Sequence, residues 1–220
     1  NEYPGEINPY LSWYQKGPYE FLEEKGGLGP WFLGAHSLLL SEEEKELIRE
    51  RGVRICHCPF SNCGKAVPDT PSLLKKGIPV GLGTDGAAHG GLSIWNEMKI
   101  FRSVMNVTHG APLAEPAVMP AKKILDIAVK GGAACLGEEP ATIAVGKRAD
   151  LIGIDMDAPH LWIHGKISNT LLESVGAGDV KDMIVGGRFL MRNREILTLD
   201  EEKIRSEALA FEKGESRWSI

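Results

Sequence analysis

Apolar and polar positions come in short blocks whose period changes along the chain. Phe32-Leu-Gly-Ala-His-Ser-Leu38 is an apolar run of strand length that ends on polar residues. Ser41-Glu-Glu-Glu44 then has the form of a capping box, which predicts a helix to about Arg51 with Gly52 as its stop. Val53-Arg-Ile-Cys-His-Cys58 predicts a second strand, ended by Pro59 and followed by a polar loop. Pro71 to Lys76 predicts a short helix between a proline start and Gly77. Ile78-Pro-Val-Gly-Leu-Gly-Thr84 predicts a third strand, with Asp85 at its end and the glycine-rich loop Gly86 to Gly91 beyond. Leu92 to Met105 predicts an amphipathic helix with Ile94, Met98, Phe101 and Met105 near one face.

Three βα units in succession imply parallel strands with right-handed crossovers. Each strand ends in a residue able to do chemistry: His36, His57 and Asp85. Residues at the C-terminal ends of parallel strands converge on one mouth in a (β/α)₈, TIM-like barrel. Three units cannot close such a barrel, so about five are expected to precede Asn1. An opening residue that is Asn and not Met fits that expectation.

After Pro120 the pattern changes. Pro120 to Leu136 predicts a helix stopped by Gly137, and Ala149-Asp-Leu-Ile-Gly-Ile-Asp155 predicts a strand. Val180 to Met191 predicts a hairpin around Gly186-Gly187, and Thr198-Leu-Asp-Glu201 predicts a capping box that opens a last helix. The expected division is an α/β barrel portion over 1–141, a small β-rich module over 142–197 and a C-terminal helix over 198–220.

Composition narrows the function classes. The net charge is −5 with scattered basic residues, which favours neither nucleic acid nor an anionic membrane. The longest apolar runs, such as Phe32 to Leu40, fall well short of the ~20 residues a bilayer requires. Three of the four cysteines, Cys56, Cys58 and Cys63, lie close together, with Cys135 apart. A zinc cluster is disfavoured, because Cys56 and Cys58 point to the opposite strand face from His57. Buried free thiols in a reducing cytoplasm are expected instead.

Asp85, between Thr84 and Gly86 at a strand end, could ligate a metal and accept a proton from its water, or could cap the following turn. His36 could be a metal ligand, an imidazole that orients the attacking water, or a core histidine. His57 could shape its strand end or reach substrate, and His89 could touch substrate from the glycine-rich loop or face solvent. His109, His160 and His164 have no constellation around them. The loop lacks the Lys-Ser/Thr of a P-loop, and Ser61 lacks a nucleophile elbow.

As a set, these residues resemble a known family. Gly34-Ala-His36, His57-Cys-Pro-Phe-Ser-Asn62, Leu82-Gly-Thr-Asp-Gly-Ala-Ala88 and Val145-Gly-Lys-Arg-Ala-Asp-Leu151 occur in order. This resembles the amidohydrolase superfamily, in the branch of methylthioadenosine and S-adenosylhomocysteine deaminases, guanine deaminases and triazine chlorohydrolases. The resemblance implies barrel strands six to eight for the three units, and a small β-sandwich that takes in the Val145 to Leu151 segment. It implies that Asp85 binds the metal and is the general base, and that His36 assists the attacking hydroxide. His57 and Asn62 match a family motif, and they are expected, with His89, on the substrate side. His89-Gly90-Gly91 departs from the Ser-Asn-Asn common in relatives.

The resemblance also implies one divalent metal, zinc or else iron. Its His-x-His pair, its strand-five histidine and the nearby proton-shuttling Glu are expected upstream of Asn1. The expected activity is hydrolytic deamination or dechlorination of an amino- or halo-substituted nitrogen heterocycle by a cytoplasmic homo-oligomer. The alternatives are a non-catalytic subunit of the same fold and a cyclic-amide hydrolase of the same superfamily.

Overall fold

The computed structural model describes residues 1–87, 91–115, 117–163 and 165–213. The chain forms two compact units, one of Asn1–Thr142 with Ile163–Val175, the other of Ile143–Trp162 with Gly176–Ile220.

The first unit opens with helices α1 (Pro4–Tyr14) and α2 (Pro18–Glu24), each with proline in its first turn. No element was expected there. Proline is well placed at a helix start, where its missing N–H has no partner to lose. Strand β1 (Leu33–Ala35) follows, then α3 (Glu42–Arg51). The predicted capping box is present: Ser41 Oγ accepts from Glu44 N, Glu44 Oε2 accepts from Ser41 N, and Gly52 closes the helix at φ 66°. Strand β2 (Arg54–His57) leads into α4 (Pro59–Asn62), a single turn where a polar loop was expected. Then come α5 (Thr70–Lys75), capped by Asp69, strand β3 (Val80–Leu82), and α6 (Ile94–Met105), capped by Ser93.

The three strands form a parallel sheet in the order β1-β2-β3. Leu33 pairs with Arg54, and Ile55 pairs with Val80, so the strand ends stand side by side. The ladder runs one residue past the strands, because His36 N donates to Cys56 O and Gly83 N donates to His57 O, both at 2.8 Å.

Helix α6 passes into a π-helical turn at Asn106–Gly110. The expected helix from Pro120 to Leu136 is broken in the middle: α7 (Ala121–Asp126) and α8 (Gly132–Leu136) flank a π-helical turn, Ile127–Gly131. Gly131 meets β3 there so closely that a Cβ would stand 1.9 Å from the Val80 carbonyl oxygen. The core gathers Ile48 from α3, Ile55 and Val80 from the sheet, Leu73 from α5, Phe101 and Met105 from α6, and Ile124 from α7, all buried. Each such side chain contributes about 1.5–3 kcal/mol of transfer free energy.

Strand β4 (Leu151–Ile154) begins the sheet of the second unit. The chain then returns to the first unit as α9 (Ile167–Glu173), a helix within the segment expected to be β-rich. Leu172 buries its side chain there, and the Trp95 indole donates to Leu171 O at 2.9 Å. Strands β5 (Val180–Val185), β6 (Arg188–Arg192) and β7 (Glu195–Ile196) complete an antiparallel meander, β4-β5-β6-β7. The predicted turn at Gly186-Gly187 is there, with φ 56° and 79°, the left-handed pair that a two-residue hairpin turn requires.

Asp150 serves that turn. Its Oδ1 accepts from Gly186 N at 2.7 Å, and the Ala149 carbonyl accepts from Gly187 N. The Val145 to Leu151 motif is therefore structural at its aspartate. The last helix, α10 (Glu201–Glu212), is capped by Asp200, whose Oδ1 accepts from Lys203 N, and not by Thr198 as expected. No described helix is long and apolar enough to cross a membrane.

Candidate active site

The residues that end β1 and β3 depart from strand geometry at once. His36 sits at φ 60° and Ser37 at 51°, and Asp85 sits at φ 56°. Non-glycine residues reach this left-handed region at a cost of about 1–3 kcal/mol each, and such strain concentrates where side chains must be aimed. Here it brings His36 and Asp85 together, with Oδ2 of Asp85 3.8 Å from Nε2 of His36.

A third residue joins them that the sequence reading did not single out. Glu2 Oε1 lies 2.7 Å from His36 Nε2. One ligand atom from each of Glu2, His36 and Asp85 falls within 4.8 Å of the others, the group among the described residues with the makings of a metal site. The shuttling glutamate was expected upstream of Asn1, whereas the structure puts a carboxylate of this chain at the cluster. Nothing local to Glu2 in the sequence signals it. Its approach to the end of β1 comes from the folding of the intervening α1 and α2.

Lys65 pairs with the other Glu2 oxygen and also donates to Ser61 Oγ at 3.1 Å. That hydrogen bond to Glu2 holds the Lys65 ammonium above its ordinary pKa. His36 is held below its ordinary pKa of 6.5, chiefly by burial, against the opposing charges of Glu2 and Asp85. Its imidazole is therefore neutral near pH 7.

His57 and Asn62, expected on the substrate side, stand behind His36. His57 is fully buried at 0% exposure, and its Nδ1 donates to the His36 carbonyl oxygen at 2.7 Å. Burial pushes its pKa down to about 4. Its alternation on β2 turned it inward, where a neutral ring can pack. Asn62 is 3% exposed, with Oδ1 accepting from Cys58 N at 3.1 Å and Nδ2 lying 2.8 Å from His36 Nδ1. Both of its polar ends are thus engaged within the chain. His89 lies outside the described residues.

Ser37 is buried and shares a 2.6 Å hydrogen bond with the Tyr19 hydroxyl, whose pKa burial pushes up to about 12. Tyr19 crosses β1 so closely that a Cβ on Gly34 would stand 2.0 Å from its hydroxyl oxygen. Residue 34 is glycine for that contact, and the contact anchors the backbone two residues before His36.

The thiols are free, with Cys58 and Cys135 buried and Cys63 exposed, against the expectation that all are buried. Cys63 follows α4, where the chain returns to the surface. Cys56 is pushed up to about 11, first by its hydrogen bond with Cys135. Asn62 and Lys65 also line a cleft of about 500 Å³, walled mainly by apolar groups that include Pro59, Phe101 and Val104.

A parallel βα layer with His36 and Asp85 just past its strand ends, and Glu2 beside them, groups side chains able to hold a divalent cation. The model of the amidohydrolase family matches residues 13–190, and the chain belongs to that family.

Among curated relatives, a 5′-deoxyadenosine deaminase of Methanosarcina acetivorans is 38% identical over 210 residues, which cover 94% of this chain and 48% of that protein. Among solved structures, an adenosine deaminase of Xanthomonas campestris with bound zinc superposes with a TM-score of 0.89 at 25% identity, over 97% of this chain and 49% of the other. The zinc complex of an atrazine chlorohydrolase from Arthrobacter aurescens superposes with a TM-score of 0.81 at 25% identity, over 96% and 47%. The chain spans about half the length of the curated relatives it matches, 48% in the first case.

Proposed function

We propose that the full-length protein is a metal-dependent hydrolase that removes an amino group from an adenine-type ring, and that this chain supplies one side of its active site. The carrying observation is the convergence within 4.8 Å of Glu2, from the segment before α1, with His36 and Asp85, just past the ends of parallel strands. The similarity to a 5′-deoxyadenosine deaminase supports the ring chemistry. In this reading β1, β2 and β3 are strands six, seven and eight of a (β/α)₈ barrel, and the β4–β7 sheet belongs to a small sandwich domain.

The carboxylates of Asp85 and Glu2 fit a divalent metal, because carboxylate oxygens suit zinc or iron. Asp85 would hold it, with Glu2 beside it, and the remaining ligands come from the rest of the full-length protein. Bound there, the ion would lower the pKa of a water toward ~7.

The chain's own groups do the rest. Asp85 takes the proton from the attacking water. His36 hydrogen-bonds to the charge that develops as a C–O bond forms at the ring carbon. Glu2 accepts the second proton of the attacking water and passes it to a ring nitrogen, while the proton taken up by Asp85 goes to the departing amine, which leaves as ammonia when the C–N bond breaks. Lys65, paired with the other Glu2 oxygen, holds that carboxylate in place. Dechlorination is the second reading, favoured by the likeness to an atrazine chlorohydrolase, with chloride in the place of ammonia.

The test is a panel of adenosine-type nucleosides and of amino- and chloro-triazines, offered to the zinc- or iron-loaded full-length protein. Ammonia or chloride release that disappears on chelation is expected. No release of either from the loaded protein overturns the proposal.

A further inference from the structure

The hydrogen bonds of Asn62 have a consequence for His36 that rests on the hydrolase reading only for its use in catalysis. Cys58 N is a backbone donor, and it lies 3.1 Å from Asn62 Oδ1. A backbone N–H can only donate, so the atom facing it must be the amide oxygen. The Asn62 NH₂ must then occupy the other end, 2.8 Å from His36 Nδ1. An amide NH₂ only donates as well, so Nδ1 must offer its lone pair. A neutral imidazole with its lone pair on Nδ1 carries its proton on Nε2.

The surroundings of Nε2 agree. It faces two acceptors, Glu2 Oε1 at 2.7 Å and Asp85 Oδ2 at 3.8 Å, and no described donor faces it. The Asn62 side chain is also fixed from behind. It ends the single turn α4, where Asn62 N donates to Cys58 O at 2.9 Å, and Phe60 N donates to Glu97 Oε2 at 2.8 Å. At 3% exposure, water does not replace either partner. The ring's backbone is held too, since His57 Nδ1 donates to the His36 carbonyl.

We propose that Asn62 is a positioning residue that fixes His36 in the Nε2–H tautomer, so that His36 offers a hydrogen bond and not a lone pair to whatever binds beside Glu2 and Asp85. It follows that His36 stays out of the metal's coordination shell. It also follows that the group it meets must be an acceptor, such as an oxygen that gains charge during hydrolysis.

The experiment is nitrogen NMR of the full-length protein labelled with ¹⁵N-histidine, with the His36 ring assigned by its loss in His36→Gln. The wild type is expected to show a protonated Nε2 and a bare Nδ1, in zinc-loaded and chelated protein alike. Asn62→Asp keeps the acceptor for Cys58 N but turns an acceptor toward Nδ1. There the proton is expected on Nδ1, with kcat lower by about 10²-fold or more and a smaller change in KM.

A wild-type ring protonated on Nδ1, or bound to zinc through Nε2, overturns the proposal. So does a folded Asn62→Asp protein whose His36 spectrum matches wild type. If Asn62→Asp does not fold, Asn62→Ala serves, and an unchanged single Nε2–H form there overturns it equally. A wild-type Nε2–H form in a protein that hydrolyses nothing leaves this inference standing and defeats the hydrolase reading instead.

Discussion

Glu2 and His36 are separated by more than thirty residues in sequence, yet Glu2 Oε1 lies 2.7 Å from His36 Nε2. Two helices, α1 and α2, stand between them in the chain. Glu2→Gln keeps the size of the side chain and removes its ability to carry a proton. Turnover by the full-length protein should fall by about 10²–10⁴-fold. Its thermal midpoint should stay within a degree or two (roughly) of wild type, since a part-exposed carboxylate carries little of the fold. Wild-type turnover in Glu2→Gln would remove Glu2 from the chemistry. Steady-state kinetics beside a melting curve reads both.

Gly34→Ala should destabilise the first unit. A Cβ there would meet the Tyr19 hydroxyl oxygen at 2.0 Å, and overpacking of this kind typically costs about 1–3 kcal/mol. Tyr19→Phe removes the oxygen and should recover part of the loss in the double variant, although Ser37 then loses its partner. Chemical denaturation of the two single variants and the double variant gives the coupling. Purely additive losses would mean that the clash is relieved elsewhere.

Stability should fall on the acid side because of His57. Its ring stays neutral in the fold down to about pH 4, against an ordinary 6.5 in the unfolded chain, with burial as the main cause. Between those values the unfolded chain binds the proton and the folded chain does not, so stability rises with pH. The contribution is fully present above about 6.5 and lost as pH drops toward 4, and amounts to roughly 3 kcal/mol. The midpoint of urea unfolding, followed from pH 7 to 4, should slope downward in wild type and less so in His57→Gln. Equal slopes in the two proteins would contradict this account.

Much of this was legible in the sequence. Strand-length apolar runs, the Ser41 capping box and the glycine stops located the three βα units, because those signals depend on neighbours in the chain. The hairpin at Gly186-Gly187 was legible for the same reason. His36 and Asp85 were legible as strand-end residues. What escaped depends on contacts between distant residues. Glu2 reaches the cluster only because α1 and α2 fold its segment back over β1. Asn62 and His57 were given to the substrate because their motif lies at a strand end, whereas burial of His57 and a one-turn helix at Asn62 put both behind His36. The π-helical turn at Ile127–Gly131 escaped because its residues, Ile-Ala-Val-Lys-Gly, carry an ordinary helical pattern.

The most direct test of the central claim uses the full-length protein stripped of metal and then titrated with zinc, with ammonia release from an adenosine-type nucleoside as the readout. The account predicts activity that is absent after stripping and returns in proportion to bound zinc. In Asp85→Asn it should remain lower by about 10²–10⁴-fold at the same zinc content. Full activity in the stripped protein, or undiminished activity in Asp85→Asn, would contradict it.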